Sequence, residues 1–390
     1  MSKLVLSILA IILIFELILF LLINFLRFKI PWVITNKDEY PIFNKKKIAA
    51  FLNKTHNIHM GWNWKPNTTH KEKIFDKTNK IYFGEFGERK GFKSLKRKNN
   101  FASFGDSFVF CRYVNNNQTW QEHLTKFKNY KGLNFGVGNY GLDQIYLKYL
   151  NTKLPKNIKT VYIGFVPETL SRCLCSWKHY HEFNNIYGFK PKFSLYKNSL
   201  KLIHNPIKDI NSFKDIEGII DNLKKKEFFY KEKFFKYQLG FPFIYKFFLN
   251  PFRNIKLLYY SVLKICHINK NKIFEYIIKE NCSKNDYYFL KRKNKLLIKK
   301  LMLKIKKVAN NRDQKVFFLI FPQKHDLSLN TKNYEKFFVM LNKEFKIIDF
   351  TKIFENDDIN KIYLPDQYGG HLTPYGNKMV AETLIKKKFT

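Results

Sequence analysis

The residues with the clearest capacity for chemistry are Ser107, in Gly105-Asp106-Ser107, and His371, in Gly369-Gly370-His371. A serine hydroxyl becomes a nucleophile near neutral pH only when a base takes its proton, and imidazole is the side chain whose ordinary pKa suits that task. Both residues sit at breaks in the pattern. Residues 101–104 are a short apolar, β-prone run that Gly105-Asp106 interrupts, so Ser107 is expected on a tight turn at the C-terminal end of a buried strand. Thr373 and Pro374 carry the N-cap and first-turn signals of a helix, which puts His371 in the loop just before it. Strand ends of this kind line the ligand crevices of parallel α/β sheets. A Gly-Asp-Ser triplet by itself is most often a plain turn, so the surrounding elements must bring the pair together.

Downstream of Ser107, residues 118–127 read as a helix with Trp120, Leu124 and Phe127 on one face. Residues 133–137 read as a strand ending in Gly136, Gly138 and Gly141, 142–154 as a helix closed by Pro155, and 160–166 as a third strand. After a long departure the alternation resumes, with strands at 316–321 and 345–350 and helices at 334–341 and 374–387. The pattern predicts a three-layer α/β/α domain on a five-stranded parallel sheet, in two parts at 100–212 and 313–390. Between them, 213–312 is rich in Lys and aromatic residues at helical spacing and is expected as a helical insertion. Within it, Lys246, Pro251, Arg253 and Lys256 argue against a second membrane span over 241–266. Packing over the sheet is expected there, with an interfacial helix on anionic lipid as the other reading.

Residues 4–26 are almost uniformly apolar and as a helix would extend about 35 Å, enough for a bilayer core of about 30 Å. No small-residue cleavage pattern follows, so residues 1–29 read as a single membrane anchor rather than a signal peptide. Glu16 stands at its centre, either protonated and tolerated or facing a partner helix. Flanking charge does not fix the orientation, because long domains translocate largely regardless of it; the main domain is expected to be extracytoplasmic. Residues 30–99 read as an approach segment packed on that domain, with a strand near 81–83.

The net charge of +40 over 390 residues invites a nucleic-acid reading. Only eight of the 71 basic residues are arginine, however, and the lysines are scattered, unlike a concentrated phosphate-reading footprint. No nucleic-acid partner is expected. Five cysteines, odd in number and sparse, make no disulfide scaffold, and no Cys/His spacing suits zinc, so neither metal nor cofactor is expected.

Taken with Gly136-Val137-Gly138-Asn139-Tyr140-Gly141, the block 162–169 and the block 369–377, the Gly105-Asp106-Ser107 triplet resembles the SGNH/GDSL hydrolase superfamily over roughly residues 101–385. The resemblance implies a serine esterase working through an acyl-enzyme, with Ser107 as nucleophile and His371 as general base. It also implies an oxyanion hole from the backbone N–H groups of Ser107 and the Gly138-Asn139 turn. Where the superfamily commonly carries Gly-x-Asn-Asp, this chain reads Gly164-Phe165-Val166-Pro167-Glu168-Thr169, so Thr169 or Arg172 would have to supply a third donor, or the hole has two. The orienting acid commonly lies two or three residues before the histidine; here the nearest is Asp366, which would reach back around a Gly-Gly bend, and a Ser-His dyad is the alternative. The implied substrate is an acylated small molecule or glycan. Acyl transfer to cell-envelope polysaccharide and a non-catalytic, membrane-anchored binding role remain open.

Overall fold

The computed structural model describes residues 3–35, 37–74, 77–91, 99–128, 131–366 and 369–387. They form two compact units. One comprises Met1–Phe51, Cys175–Lys190 and Pro206–Tyr276, and the other Leu52–Leu174, Pro191–Asn205 and Ile277–Thr390.

The first unit begins with α1 (Lys3–Lys29), whose mean hydropathy reaches 3.1 and whose apolar side chains are almost all exposed. It is long and apolar enough to cross a membrane. Only its C-terminal half carries buried residues, Ile23 and Leu26.

In the second unit, the antiparallel pair β1 (Thr69–Ile74) and β2 (Lys77–Tyr82) precedes a sheet built from β3 (Asn99–Gly105), β4 (Lys131–Gly136), β5 (Thr160–Phe165), β6 (Lys315–Ile320) and β7 (Ile347–Asp349). The five strands are all parallel and lie in the order β7-β6-β5-β3-β4. Helices cover both faces. They include α2 (Ser107–Phe110), α3 (Trp120–Lys128), α4 (Leu142–Asn151), α5 (Thr169–Leu174), α8 (Arg292–Asn311), α9 (Asn333–Leu341) and α10 (Pro374–Lys386), while α6 (Phe243–Phe248) and α7 (Pro251–Ile265) belong to the first unit. In chain order the sheet reads 2-1-3-4-5, so the direction of winding reverses between β3 and β5, and the crevice of such a sheet opens at that point. Ser107 follows β3 directly.

Three differences from the sequence reading have local causes. The helix expected from 118 starts at Trp120, because Thr119 is extended (ψ 150°) and its hydroxyl accepts the Glu122 N–H. Residues 30–99 do not form one segment: those up to Phe51 belong with α1, those from Leu52 with the sheet, and 92–98 lie outside the described residues. The helical stretch expected over 213–312 is likewise divided, since from Ile277 onward it belongs to the sheet's own unit. There α8 buries Leu297, Ile298, Leu301, Met302 and Ile305 as the crossover helix that feeds β6.

One buried charge has a measurable consequence. Lys148 on α4 is 3% exposed and donates to Asn63 Oδ1 at 2.7 Å, and burial pushes its ammonium down to about 7 against a smaller upward pull from Glu88. An unfolded chain keeps that proton to about pH 10.4. Between pH 7 and 10 the unfolded state therefore binds more protons, and this residue's contribution to stability rises with pH by up to about 1.4 kcal/mol per unit. Lys148→Met is expected to raise the Tm most at pH 7 and progressively less toward pH 10, as measured by thermal unfolding across that range.

Candidate active site

Ser107 is the first residue of α2, and the aspartate before it makes that turn. Asp106 is fully buried; its Oδ1 accepts the Phe108 N–H at 2.9 Å as the N-cap, while Oδ2 accepts the Val166 N–H at 2.9 Å and Arg172 Nη1 at 3.2 Å. Burial raises the pKa of this carboxyl, and Arg172 and the two backbone donors pull it back down. Asp106 thus ties the end of β3 to the end of β5.

The glycines of the sequence blocks make room for the same turn. A Cβ on Gly105 would fall 2.2 Å from the Gly164 carbonyl oxygen, and one on Gly136 would fall 2.1 Å from the Phe110 nitrogen. Both obstacles are backbone and cannot swing aside. α2 can lie across the strand ends only because these positions lack side chains.

From the other end of the chain, Leu364 N–H donates to the His371 carbonyl at 2.8 Å, and Thr373 N–H to that of Ile362 at 2.8 Å. Thr373 caps α10 by accepting the Gly376 N–H. Just before His371, Gly369 (φ 96°) and Gly370 (φ 83°) adopt a conformation that disfavours residues with side chains. As a result Asp366 Oδ2 accepts from both the backbone N–H of His371, at 2.6 Å, and its ring Nδ1, at 3.0 Å. His371 Nε2 lies 3.0 Å from Ser107 Oγ. All three side chains are at least nine-tenths buried. With the Nδ1 proton held by Asp366, Nε2 presents its lone pair to the serine hydroxyl, so the arrangement can draw a proton from Ser107 and hold the resulting imidazolium.

Beside it, the Gly138-Asn139 turn that follows β4 has Asn139 at φ 65°, a conformation asparagine tolerates better than most residues. The indole Nε1 of Trp62 donates to the Gly138 carbonyl at 3.1 Å, and Tyr140 Oη donates to the Trp62 carbonyl. Because the Gly138 C=O and the Asn139 N–H belong to one planar peptide, holding the oxygen aims the N–H the opposite way. A Cβ at Gly138 would meet nothing within 4 Å. The turn borders a cavity of about 280 Å³ whose walls include Trp62, Trp64, His70 and Glu72.

Both candidates for a third oxyanion donor have other partners. Thr169 is fully buried and its hydroxyl accepts the Leu142 N–H at 2.7 Å. Arg172 spends Nη1 on Asp106 and the Tyr140 carbonyl, and Nη2 on Glu168 at 2.7 Å.

No family model and no curated protein matches this sequence. A solved structure does. The chain is similar to that of a protein provisionally assigned to the lipolytic G-D-S-L family, from Desulfitobacterium hafniense DCB-2, at 9% identity and a TM-score of 0.33, over 74% of this chain and 99% of that one. A likeness at this level carries no weight beside the strand order and the side-chain geometry.

Several residues that shape the site went unread in the sequence. Asp106 had a legible signal, an N-cap residue before a short apolar helix. Trp62 and Tyr140 had none, since their clasp joins segments far apart in the chain. Nor had Glu72, on β1, which accepts the Tyr113 N–H at 3.0 Å and pairs with Arg112 at 3.2 Å, fixing the chain just after α2. The Tyr113 ring in turn meets His371 edge-on, with centroids 5.4 Å apart.

Proposed function

We propose that this chain is a membrane-anchored serine ester hydrolase of the SGNH/GDSL type. The observation that carries the reading is the run of contacts from Asp366 through His371 to Ser107 at the switch point of the sheet. Ser107 Oγ attacks the ester carbonyl as His371 Nε2 takes its proton. The tetrahedral oxyanion is met by backbone N–H groups of Ser107 and the Gly138-Asn139 turn, and the alcohol leaves with the proton returned by His371. Water then adds to the acyl-Ser107 by the same route. The deciding experiment is labelling of the full chain in detergent with a fluorophosphonate, followed by mass mapping. A covalent adduct on Ser107 is expected, and labelling elsewhere or nowhere would sink the reading.

The cavity beside Gly138 and Asn139 favours a second reading, acyl transfer to or deacylation of a cell-envelope glycan. Its volume of about 280 Å³ suits a short acyl group or a single sugar better than a long lipid chain, and Trp62 in its wall brings an aromatic ring against which a sugar could pack. On either reading α1 is the anchor and the sheet unit is extracytoplasmic.

A consequence of the Trp62 clasp can be checked kinetically. Trp62→Phe keeps the ring against Tyr140 but releases the Gly138 carbonyl, so the oxyanion donor loses its fixed aim. Outright loss of a donor costs about 10² to 10³ in kcat. Loosening one is expected to cost about tenfold or more in kcat with KM nearly unchanged.

A further inference from the structure

Within the first unit, the pairing of α1 with α6 (Phe243–Phe248) and α7 (Pro251–Ile265) bears on what surrounds them. Glu16 sits thirteen residues from either end of α1, or about 20 Å along the helix in each direction. Its carboxylate accepts the backbone N–H groups of Phe243 and Ile244, the latter at 2.8 Å, and the Phe20 ring meets Phe243 edge-on at 5.7 Å. The start of α6 is therefore level with the middle of α1. At its far end α7 approaches the residues just past α1: Lys264 Nζ lies 5.9 Å from the ring of Trp32 and 4.6 Å from that of Phe274, which is itself stacked on Trp32. The fifteen residues of α7 extend about 22 Å, nearly the distance from Glu16 to the C-terminal end of α1.

The polarity of α7 is inverted for a helix meant for water. Among its buried residues are Asn254, which donates to the Phe247 carbonyl, and Ser261, which donates to that of Leu257. Phe252 is 83% exposed, Tyr259 60% and Ile255 56%, and with Val262 they form one outward stripe at helical spacing. Phe241, Tyr245 and Phe248 extend that apolar surface beside α6. The charges do not spoil it: Lys246 lies over the Phe235 ring at 4.7 Å and Arg253 over Tyr237 at 3.7 Å, and Lys256 has the reach to carry its ammonium to headgroups.

We propose that α6 and α7 form a second membrane element, dipping into the leaflet that holds the C-terminal half of α1 and returning to its surface at Trp32. Lipid is the occupant of the exposed stripe because the surface is continuous with the apolar flank of α1 and is pinned at its mid-depth by Glu16. The inverted helix satisfies its polar groups inward, as hydrocarbon requires. The inference rests on the reading of α1 as a membrane span.

The test is spin-label accessibility in the full chain reconstituted into phosphatidylcholine–phosphatidylglycerol vesicles. Single labels go on Phe252→Cys, Ile255→Cys, Leu13→Cys on α1, and Val339→Cys on the exposed side of α9, all in a Cys266→Ser background that removes the exposed native thiol. Labels at 252, 255 and 13 are expected to favour oxygen over a water-soluble nickel chelate several-fold more than the label at 339. Nickel access at 252 and 255 with oxygen access at 13 would overturn the proposal while leaving α1 a span. Nickel access at all four would remove the span and the proposal together. Exclusion of both reagents at 252 and 255 would place a protein surface there and overturn it as well.

Discussion

Ser107→Ala is expected to abolish fluorophosphonate labelling and to lower turnover of any acyl ester substrate by about 10⁶-fold, because the attacking oxygen is removed. What remains should be the contribution of binding and the oxyanion donors, about 10³ to 10⁴ over water. Folding should survive the change. Among the described residues the Ser107 hydroxyl has its hydrogen bond with His371, and the turn that carries it is held by Asp106 and by the glycines beneath. Equal labelling of wild type and variant would show the adduct to lie on another residue and would end the hydrolase reading. Loss of labelling in His371→Ala as well would assign the activation of Ser107 to the imidazole.

Asp366→Asn is expected to leave the fold intact and to lower kcat by about 10⁴-fold. The carboxylate oxygen Oδ2 serves two donors, the backbone N–H and the ring Nδ1–H of His371. An asparagine whose carbonyl oxygen takes that place keeps both hydrogen bonds but brings no charge, so the imidazolium that forms as Ser107 loses its proton is no longer stabilised by a carboxylate. The flipped amide would set its NH₂ against the backbone N–H and toward the ring, where only the tautomer with its proton on Nε2, unable to accept the proton of Ser107, receives it. A Ser-His dyad predicts the opposite outcome: Asp366→Asn nearly silent, with His371→Ala still abolishing turnover. Assaying the two variants side by side decides between them.

How far the sequence carried differs from element to element. The five parallel strands were legible because each is a short apolar run, four of them closed by Gly or Pro, and the period of burial is local. The approach of Ser107 and His371 followed from that, since both fall on loops at C-terminal strand ends, and parallel strands put those ends on one edge. The Gly369-Gly370 bend told of a reversal near His371, though the shared Oδ2 of Asp366 needed coordinates. Where one helical insertion was expected, from 213 to 312, its division between the two units left no local trace, because helical spacing of apolar residues and lysines reads alike on both sides of the division.

The sequence by itself determined the α/β order, the apolar N-terminal helix, and the serine and histidine at the rim of the sheet. Each of these rests on neighbours within a few residues, on turn chemistry and on the periodicity of burial. Only the tertiary structure decided the rest. It committed Thr169 to the start of α4 and Arg172 to Asp106 and Glu168, and it locked the Gly138 carbonyl against Trp62. It also set Glu16 against the first turn of α6 and turned the apolar stripe of α7 outward. Those outcomes depend on which side chains meet across long stretches of chain, and a buried polar group takes whichever partner the packing brings within hydrogen-bond reach.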